Sequence, residues 1–466
     1  MEFAKRKHRV HFVGIGGIGM SGIAEVLLNL GFPVTGSDLA ASETTERLEA
    51  NGARIALGHH ADRVDPDVEV VVISSAVKFS NPEVVRAREL GIPVIPRAEM
   101  LAELMHMKYG LAVAGTHGKT TTTSLLGHVL AEAGLDPTLV IGGKVRGLGT
   151  NARAGEGRTL VAEADESDGS FLMLTPTLAI VTNIDPEHLD HYGTMEQVHA
   201  AYLQFINRVP FYGLAVLCID SVAVRALLPQ VRKRFVTYGL AADADVQGVN
   251  PEVSREGTRF DVLENGRWLG HVHLGLAGRH NAQNALAVVA AARELGLTFD
   301  ATMQALASFE GIHRRFEVKG EAGGVTVIDD YGHHPQEIKV TLRAAREAYG
   351  GRVIAIFQPH RFTRTRDLFD SFLEAFDDAD LLILTEIYAA GEDPLEGIDG
   401  ETLAEALKRR GHADVRFVRE PQAIVEAVRP ALRGGDIVVT LGAGNLHQIC
   451  QPLLDALARE KPVALQ

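Results

Sequence analysis

Cysteine is almost missing from this chain: its 466 residues hold two, Cys218 and Cys450. Two thiols make neither a disulfide framework nor a structural zinc site, and the count fits a reducing, cytoplasmic setting. Long apolar runs are missing as well, none approaching the roughly 18 residues of a membrane span. Positive charge is in deficit. The 46 Lys and Arg against 60 Asp and Glu leave a formal charge of −14, which would repel a phosphate backbone and argues against a nucleic-acid partner. Lys5-Arg6-Lys7 ahead of an apolar stretch imitates a secretory leader. That stretch is dense in glycine, soon meets Glu25 and has no small-residue cleavage site, so secretion is set aside. What remains is a globular composition, 46% hydrophobic and 23% charged, in a chain long enough for about three domains.

The most informative stretch is 111–126. An apolar strand, Leu111–Ala114, runs into Gly115-Thr116-His117-Gly118. Lys119 and the threonines 120–123 then open a helix carrying Leu125, Leu126, Val129 and Leu130. A strand–turn–helix of this kind aims backbone N–H groups and a helix N-terminus at one point, which suits a polyphosphate. Lys119 can reach β/γ-phosphates as a point charge, and Thr120 can ligate the accompanying Mg²⁺. The loop departs from the usual G-x-x-x-x-G-K-[ST] pattern, because Val113 stands at the first position and the upstream glycine is Gly115.

Upstream, a strand over 9–13 leads into Gly14-Ile-Gly16-Gly17-Ile18-Gly19, a helix over 20–30, and a second strand ending at Gly36-Ser37-Asp38. Glycines there permit a tight turn and close approach of a diphosphate, and Asp38 could take a ribose hydroxyl. A further strand, 68–73, ends at Ser74-Ser75. A boundary falls near 107–110. Beyond it, strand 160–162 ends at Glu163-Ala-Asp165-Glu166-Ser-Asp168, and strand 178–182 at Asn183-Ile-Asp185-Pro-Glu187-His188. Parallel sheets collect ligands at carboxyl ends, so these groups are expected to converge on the triphosphate and its metal. Acid runs after strands also serve as helix caps and solvated loops, however. Asn281 and Asn284, ahead of an alanine-rich helix over 285–295, could cap it or read a base.

After Gly311, strands 325–328, 353–357, 381–384 and 437–441 alternate with helical patterns, giving a second open α/β sheet. Their ends carry Asp329-Asp330-Tyr331-Gly-His333-His334, then Gln358-Pro-His360-Arg361-Phe-Thr-Arg364, then Thr385-Glu386, then Gly442-Ala-Gly444-Asn445. Arginines at such an edge suit a small carboxylate, which they can pair bidentately.

Seven motifs in order carry a resemblance: 14–25, 115–121, 163–168, 183–190, 313–317, 329–335 and 358–366. With them the chain resembles, over essentially its whole length, the Mur ligase family of peptidoglycan synthesis. The resemblance implies an α/β protein of three domains. These are a Rossmann-like UDP-sugar-binding domain (1–108), a central P-loop ATPase-like domain (109–311) and a C-terminal Rossmann-like domain (312–466) that brings in the amino acid. Closure between domains is expected, with oligomeric state left open. The implied reaction joins L-alanine to the carboxylate of UDP-N-acetylmuramate through an acyl phosphate, with ADP and phosphate released. By resemblance, Gly14, Gly16, Gly17, Ile18, Gly19, Asp38 and Ser74 hold UDP. Gly115, Thr116, His117, Gly118, Lys119, Thr120, Thr121, Asn281, Asn284 and Arg315 hold ATP. Thr120 and Glu163 match the ligands of one Mg²⁺ and His188 that of a second. Lys119, His188 and Asp330 take catalytic positions, and Tyr331, His360, Arg361 and Arg364 form the amino-acid pocket. Several family members carry a carbamylated lysine where this chain has Tyr202, so no carbamate bridge is expected. The rival within the family is a recycling ligase that joins a preformed tripeptide to the same UDP-sugar. Outside it, an NAD-dependent dehydrogenase would explain 14–38 but leave Lys119 idle. A nucleotide sensor would not need so many ionisable groups in the last domain.

Overall fold

The computed structural model describes residues 7–74, 76–142 and 152–459. Lys5, Arg6, Ser75 and the Ile18 side chain, named above, lie outside the described residues. The chain divides into two compact units. One holds the chain up to Val249 together with 261–272 and 283–310; the other holds 250–260, 273–282 and the chain from Gly311 on.

The first sheet comprises β1 (Val10–Val13), β2 (Val34–Asp38), β3 (Arg54–Leu57), β4 (Val70–Ile73) and β5 (Val94–Pro96), in the order β3-β2-β1-β4-β5. All of its pairings are parallel. The order reverses between β1 and β4, so a crevice opens at the carboxyl end of β1, where the glycine fingerprint begins.

The second sheet has ten strands. They are β6 (Tyr109–Ala114), β7 (Thr138–Val140), β8 (Ala152–Arg153), β9 (Thr159–Glu163), β10 (Leu178–Val181), β11 (Leu214–Cys218), β12 (Phe235–Gly239), β13 (Val246–Ser254), β14 (Gly257–Glu264) and β15 (Arg267–Leu274). Their order is β15-β14-β13-β12-β11-β10-β6-β9-β7-β8. The strands leading into the phosphate loop and the two acid runs are direct neighbours, with β10 and β9 both parallel to β6. Their residues are buried almost throughout, so they read as continuous apolar runs rather than alternating ones. A single buried cluster links Ile23 and Leu27 beside the first sheet, Met100 and Leu104, and Ala112, Phe171 and Tyr202 of the second. The first sheet and strands β6–β12 of the second therefore pack into one unit.

The third sheet comprises β16 (Glu317–Ala322), β17 (Val325–Asp330), β18 (Val353–Phe357), β19 (Leu381–Leu384), β20 (Val415–Phe417) and β21 (Ile437–Leu441), in the order β16-β17-β21-β18-β19-β20. Only the β16–β17 pairing is antiparallel. Successive side chains of β18 serve opposite faces. Val353, Ala355 and Phe357 join one buried cluster, and Ile354 and Ile356 join the other. The helix expected over 285–295 starts at Arg279, just after Gly278 at φ +114°. Asn281 and Asn284 thus lie inside its first turns rather than ahead of it. Among the described residues no helix is long and apolar enough to cross a membrane.

Candidate active site

At the carboxyl end of β1, Gly14 takes φ +78° and its N–H bonds to Ser37 O at 2.9 Å. Ser74 Oγ lies 4.0 Å from where a Gly14 Cβ would be, which places it on this turn. Gly17 caps the helix Ile18–Asn29 in extended geometry, and its carbonyl accepts from Met20 and Ser21. Asp38 is engaged by the loop itself: its Oδ2 accepts the Gly16 N–H at 2.7 Å and its Oδ1 that of Leu39. A Cβ on Gly16 would stand 2.9 Å from Asp38 Oδ2, and one on Gly19 would stand 2.4 Å from an Arg97 nitrogen. Glycine at these positions is what lets a carboxylate and a guanidinium close on the turn. Arg97 had escaped notice in the sequence, where it reads as an ordinary basic residue after a short strand. It puts a cation over the helix start where a diphosphate would sit, and it pairs with Asp165 at 3.3 Å.

The phosphate loop is stitched to the end of β10. Asn183 Oδ1 accepts the His117 N–H at 2.8 Å, Thr182 Oγ1 donates to His117 O at 2.6 Å, and Asp185 N–H donates to Thr116 Oγ1 at 2.9 Å. Gly115 (φ +140°) could bear no side chain, since its Cβ would meet Thr182 Oγ1 at 1.9 Å. Gly118 (φ +80°) faces Asn284, whose Oδ1 accepts from Thr122 Oγ1 at 3.2 Å. Asn284 therefore does stand beside the loop. Asn281 Nδ2 instead donates to Ala277 O at 2.9 Å. Thr120 and Thr121 occupy the first turn of the helix Lys119–Glu132, half-buried and buried respectively.

Lys119 folds back over its own loop. Its Nζ donates to Gly115 O, Thr116 O and, at 2.7 Å, to Glu166 Oε1. Burial alone would lower its pKa, but the charge and hydrogen bond of Glu166, together with the charges of Glu187 and Asp165, outweigh this and hold it above the ordinary lysine value. Glu166 is pushed up to about 7 by burial, against the opposing pull of Lys119. Its Oε2 is buried with no hydrogen-bond partner among the described residues. Glu166, Glu187 and His188 bring ligand atoms within 4.8 Å of one another. His188 holds a left-handed backbone (φ +56°), and its Nε2 lies 3.9 Å from Glu166 and 4.0 Å from Glu187. A half-paired buried carboxylate beside a second carboxylate and an imidazole is a donor set that fits a hard divalent cation. Glu163, expected among the ligands, is not in this group; its Oε1 accepts the Gly142 N–H at 2.8 Å. Glu166 and Glu187 were visible in their motifs, yet nothing in an acid run tells which member turns inward. Tyr202 is 1% exposed in the helix Met195–Asn207 and packs edge-on against Phe171. It offers no amine to carbamylate.

In the other unit, the adjacent strands β17, β21 and β18 end side by side. Asp330 accepts backbone N–H groups from Phe316 and Gly332, both at 2.7 Å. Burial lifts its pKa to about 6 against the lowering effect of Arg315. Arg314 and Arg315 lie over the Tyr331 ring at 4.9 and 5.2 Å. From there rings continue in contact: Tyr331 to His333 (5.6 Å), His333 to His360 (5.7 Å), and His360 stacked on Tyr388 at 5.5 Å and 13°. Arg364 Nη1 lies 3.3 Å from His360 Nδ1. Arg361 is held at φ +70° where the helix Phe362–Asp367 begins. Burial, then His333 and the arginines, brings the His360 pKa down to about 4, so its ring is neutral near pH 7. The structure thus brings Tyr331, His360 and Arg364 together and adds Tyr388, which no motif had marked.

Three α/β sheets, a glycine turn after β1, a strand–turn–helix carrying Lys119 and an Arg/His edge on the third sheet are compatible with an ATP-using ligase. The comparisons make this specific. Residues 9–109 match the Mur ligase family catalytic domain, 113–292 the Mur ligase middle domain, and 314–444 the Mur ligase glutamate ligase domain. The chain is 59% identical to the UDP-N-acetylmuramate–L-alanine ligase of Anaeromyxobacter sp. (strain Fw109-5), covering 98% of this chain and 99% of that one. It is 56% identical to the ligase of the same name from Geotalea daltonii, over 97% and 99%. Among solved structures, the UDP-N-acetylmuramate-alanine ligase of Thermotoga maritima superposes with TM-score 0.79 at 30% identity, covering 96% and 98%. A murein peptide ligase from Psychrobacter arcticus gives 0.69 at 25% identity, covering 98% and 100%. The chain belongs to the Mur ligase family.

Proposed function

We propose that this chain joins L-alanine to the carboxylate of UDP-N-acetylmuramate with cleavage of ATP to ADP and phosphate, a step of peptidoglycan precursor synthesis. The observation that carries the reading is the likeness, at 59% identity over nearly both full lengths, to a ligase named for that reaction. The rival, peptide-joining reading is less supported: a ligase named for L-alanyl-γ-D-glutamyl-meso-diaminopimelate, from Neisseria meningitides, stands at 31% identity over 66% of this chain, against 59% over 98% for the L-alanine ligase.

In chemical terms, a carboxylate oxygen of the sugar attacks the γ-phosphorus, ADP leaves, and an acyl phosphate forms. The L-alanine nitrogen then attacks the acyl carbon, a proton is lost, and the tetrahedral adduct expels phosphate to leave the amide. Gly115–Thr121 would wrap the triphosphate with N–H groups while Lys119 leaves Glu166 and stabilises charge on the β/γ-phosphates. Asn281, Asn284 and Arg315 are the adenine- and phosphate-side candidates, and Asp330 the acid near the nucleotide. Gly14–Gly19, Asp38 and Ser74, together with Arg97, are proposed to hold UDP. Magnesium is the expected cation, in two positions. Thr120 and Glu163 would hold one, His188 with Glu166 and Glu187 the other, and the ions would screen the anionic nucleophile from the anionic phosphate. Tyr331, His360, Arg361 and Arg364 would receive L-alanine, the arginines on its carboxylate. Domain boundaries near 108 and 311 complete the reading. The test is phosphate release with ATP, Mg²⁺ and UDP-N-acetylmuramate. Release driven by L-alanine is expected, and release driven only by a preformed tripeptide would defeat the proposal.

A further inference from the structure

The carboxyl edge of the third sheet contains one polar atom that nothing in the fold uses. Gln358, the first residue past β18, is 4% exposed, and its Oε1 is buried without a hydrogen-bond partner among the described residues. Leaving such an acceptor unmade is costly, so a fold that keeps one there needs a reason. The surroundings hold the oxygen in place. Gln358 N–H is fixed on Leu441 O at 3.0 Å. A Cβ on Gly444 would lie 2.4 Å from Oε1 and 2.9 Å from ring carbons of Tyr388. Oε1 and Tyr388 therefore close on Gly444 together, which a side chain at that position would prevent. The Tyr388 backbone is tied to the same loop through Arg361 N–H to Tyr388 O (2.9 Å) and Tyr388 N–H to Pro359 O (2.8 Å).

We propose that Gln358 Oε1 accepts an N–H of the incoming amino acid and aims its nitrogen. This deepens the function proposed above and rests on it. An α-amino acid needs cations for its carboxylate and an acceptor for its amine. Arg361 and Arg364 supply the first. For the second, the neighbouring acceptors are already engaged. Both Asp330 oxygens hold backbone N–H groups, Asp329 holds Arg314 and Thr440, Gly442 O holds Arg314, and Leu441 O holds Gln358. Gln358 Oε1 is left over. A neutral amide also suits the chemistry. It accepts one N–H without being a base, so it orients the amine and leaves the lone pair available. A carboxylate in its place would favour the unreactive ammonium form.

Steady-state kinetics on three variants of the full chain test this. Gln358→Met, close in shape but without the acceptor, should raise KM for L-alanine about 10-fold or more, as leaving a buried N–H without its acceptor does. KM for ATP and for UDP-N-acetylmuramate and the melting temperature should stay put. Gly444→Ala, whose methyl displaces Oε1, should shift KM the same way. Gln358→Glu should keep KM for L-alanine near wild type but lower kcat at neutral pH, a split that a purely structural role would not produce. Propionate, which has the carboxylate but no amine, should inhibit wild type and Gln358→Met equally. If KM for L-alanine is unmoved in both Gln358→Met and Gly444→Ala, or if propionate weakens in parallel with L-alanine, the inference is overturned. Wild-type protein that releases no phosphate with L-alanine would overturn the proposed function as well.

Discussion

The carboxyl edge of the central sheet and that of the third sheet are built alike but left in opposite electrostatic states. At the first, the charges already satisfy each other: Lys119 lies on Glu166 and on two carbonyls of its own loop. At the second, His360 is neutral, Arg361 sits on an exposed turn, and Gln358 Oε1 has no partner among the described residues. The difference has a physical reading. On the proposed assignment, the first edge takes in a highly charged phosphate ligand, and the internal ion pair would keep Lys119 charged and buried until that ligand replaced Glu166. On the same assignment, the second edge would receive a small amino acid, which gains more from groups held in fixed positions because it has few contacts with which to reorganise them.

The largest effect expected from breaking the first edge is in turnover. Lys119→Ala should lower kcat for phosphate release by about 10³-fold, the scale of removing one preorganised charge from a transition state. Retention of a tenth of the activity would mean that this lysine does not reach the phosphates. The next effect belongs to the second edge and to stability. Folding raises the Asp330 pKa from 3.8 to about 6, so the folded state binds this proton more tightly than the unfolded one. That contribution is present in full below pH 3.8 and is lost as pH rises through 6, an effect of about 3 kcal/mol. Denaturant titrations between pH 4 and 7 should show the slope in wild type, and Asp330→Asn should flatten it. An unchanged slope would assign the effect elsewhere. Arg364→Lys, which loses planar bidentate pairing, should then raise KM for L-alanine by roughly 10-fold while sparing KM for ATP. An equal rise in both would show that the two edges do not divide the substrates as argued. The last effect returns to the phosphate loop and concerns stability rather than turnover. Gly118→Ala forces a Cβ onto φ +80° and to 2.7 Å from Asn284 Oδ1, and should cost about 1–3 kcal/mol in denaturant.

The two edges also differed in how far they could be read from residues alone. The phosphate loop is local: strand, glycine turn, lysine and helix are contiguous, and the chain folds there as its pattern predicts, from β6 into the helix Lys119–Glu132. The adjacency of β6, β9 and β10 was also implicit, because each ends an apolar run in polar residues. What stayed hidden was which acids turn inward. Glu163 and Glu166 are three residues apart in one run, and only the backbone path after β9 sends Glu166 to Lys119 and Glu163 to Gly142. Arg97 and Tyr388 were invisible for a related reason. Each reaches its site through a tertiary approach, over Gly19 and against His360 respectively, with no sequence spacing to announce it. Four of the six strands of the third sheet were placed almost to the residue, since their burial on both faces leaves unbroken apolar runs, while the partly exposed edge strands β16 and β20 were not read. The helix at Arg279 began earlier than its alanine pattern, because its polar first turns follow Gly278 and carry the asparagines instead.

The central claim is that the carboxylate of the sugar is phosphorylated before the amine attacks, so one carboxylate oxygen must leave with the phosphate. The direct measurement uses UDP-N-acetylmuramate labelled with ¹⁸O in that carboxylate, turned over with ATP and L-alanine, and mass analysis of the released phosphate. The account predicts one ¹⁸O in each phosphate released per amide formed. Phosphate carrying no label, while amide accumulates, would contradict it.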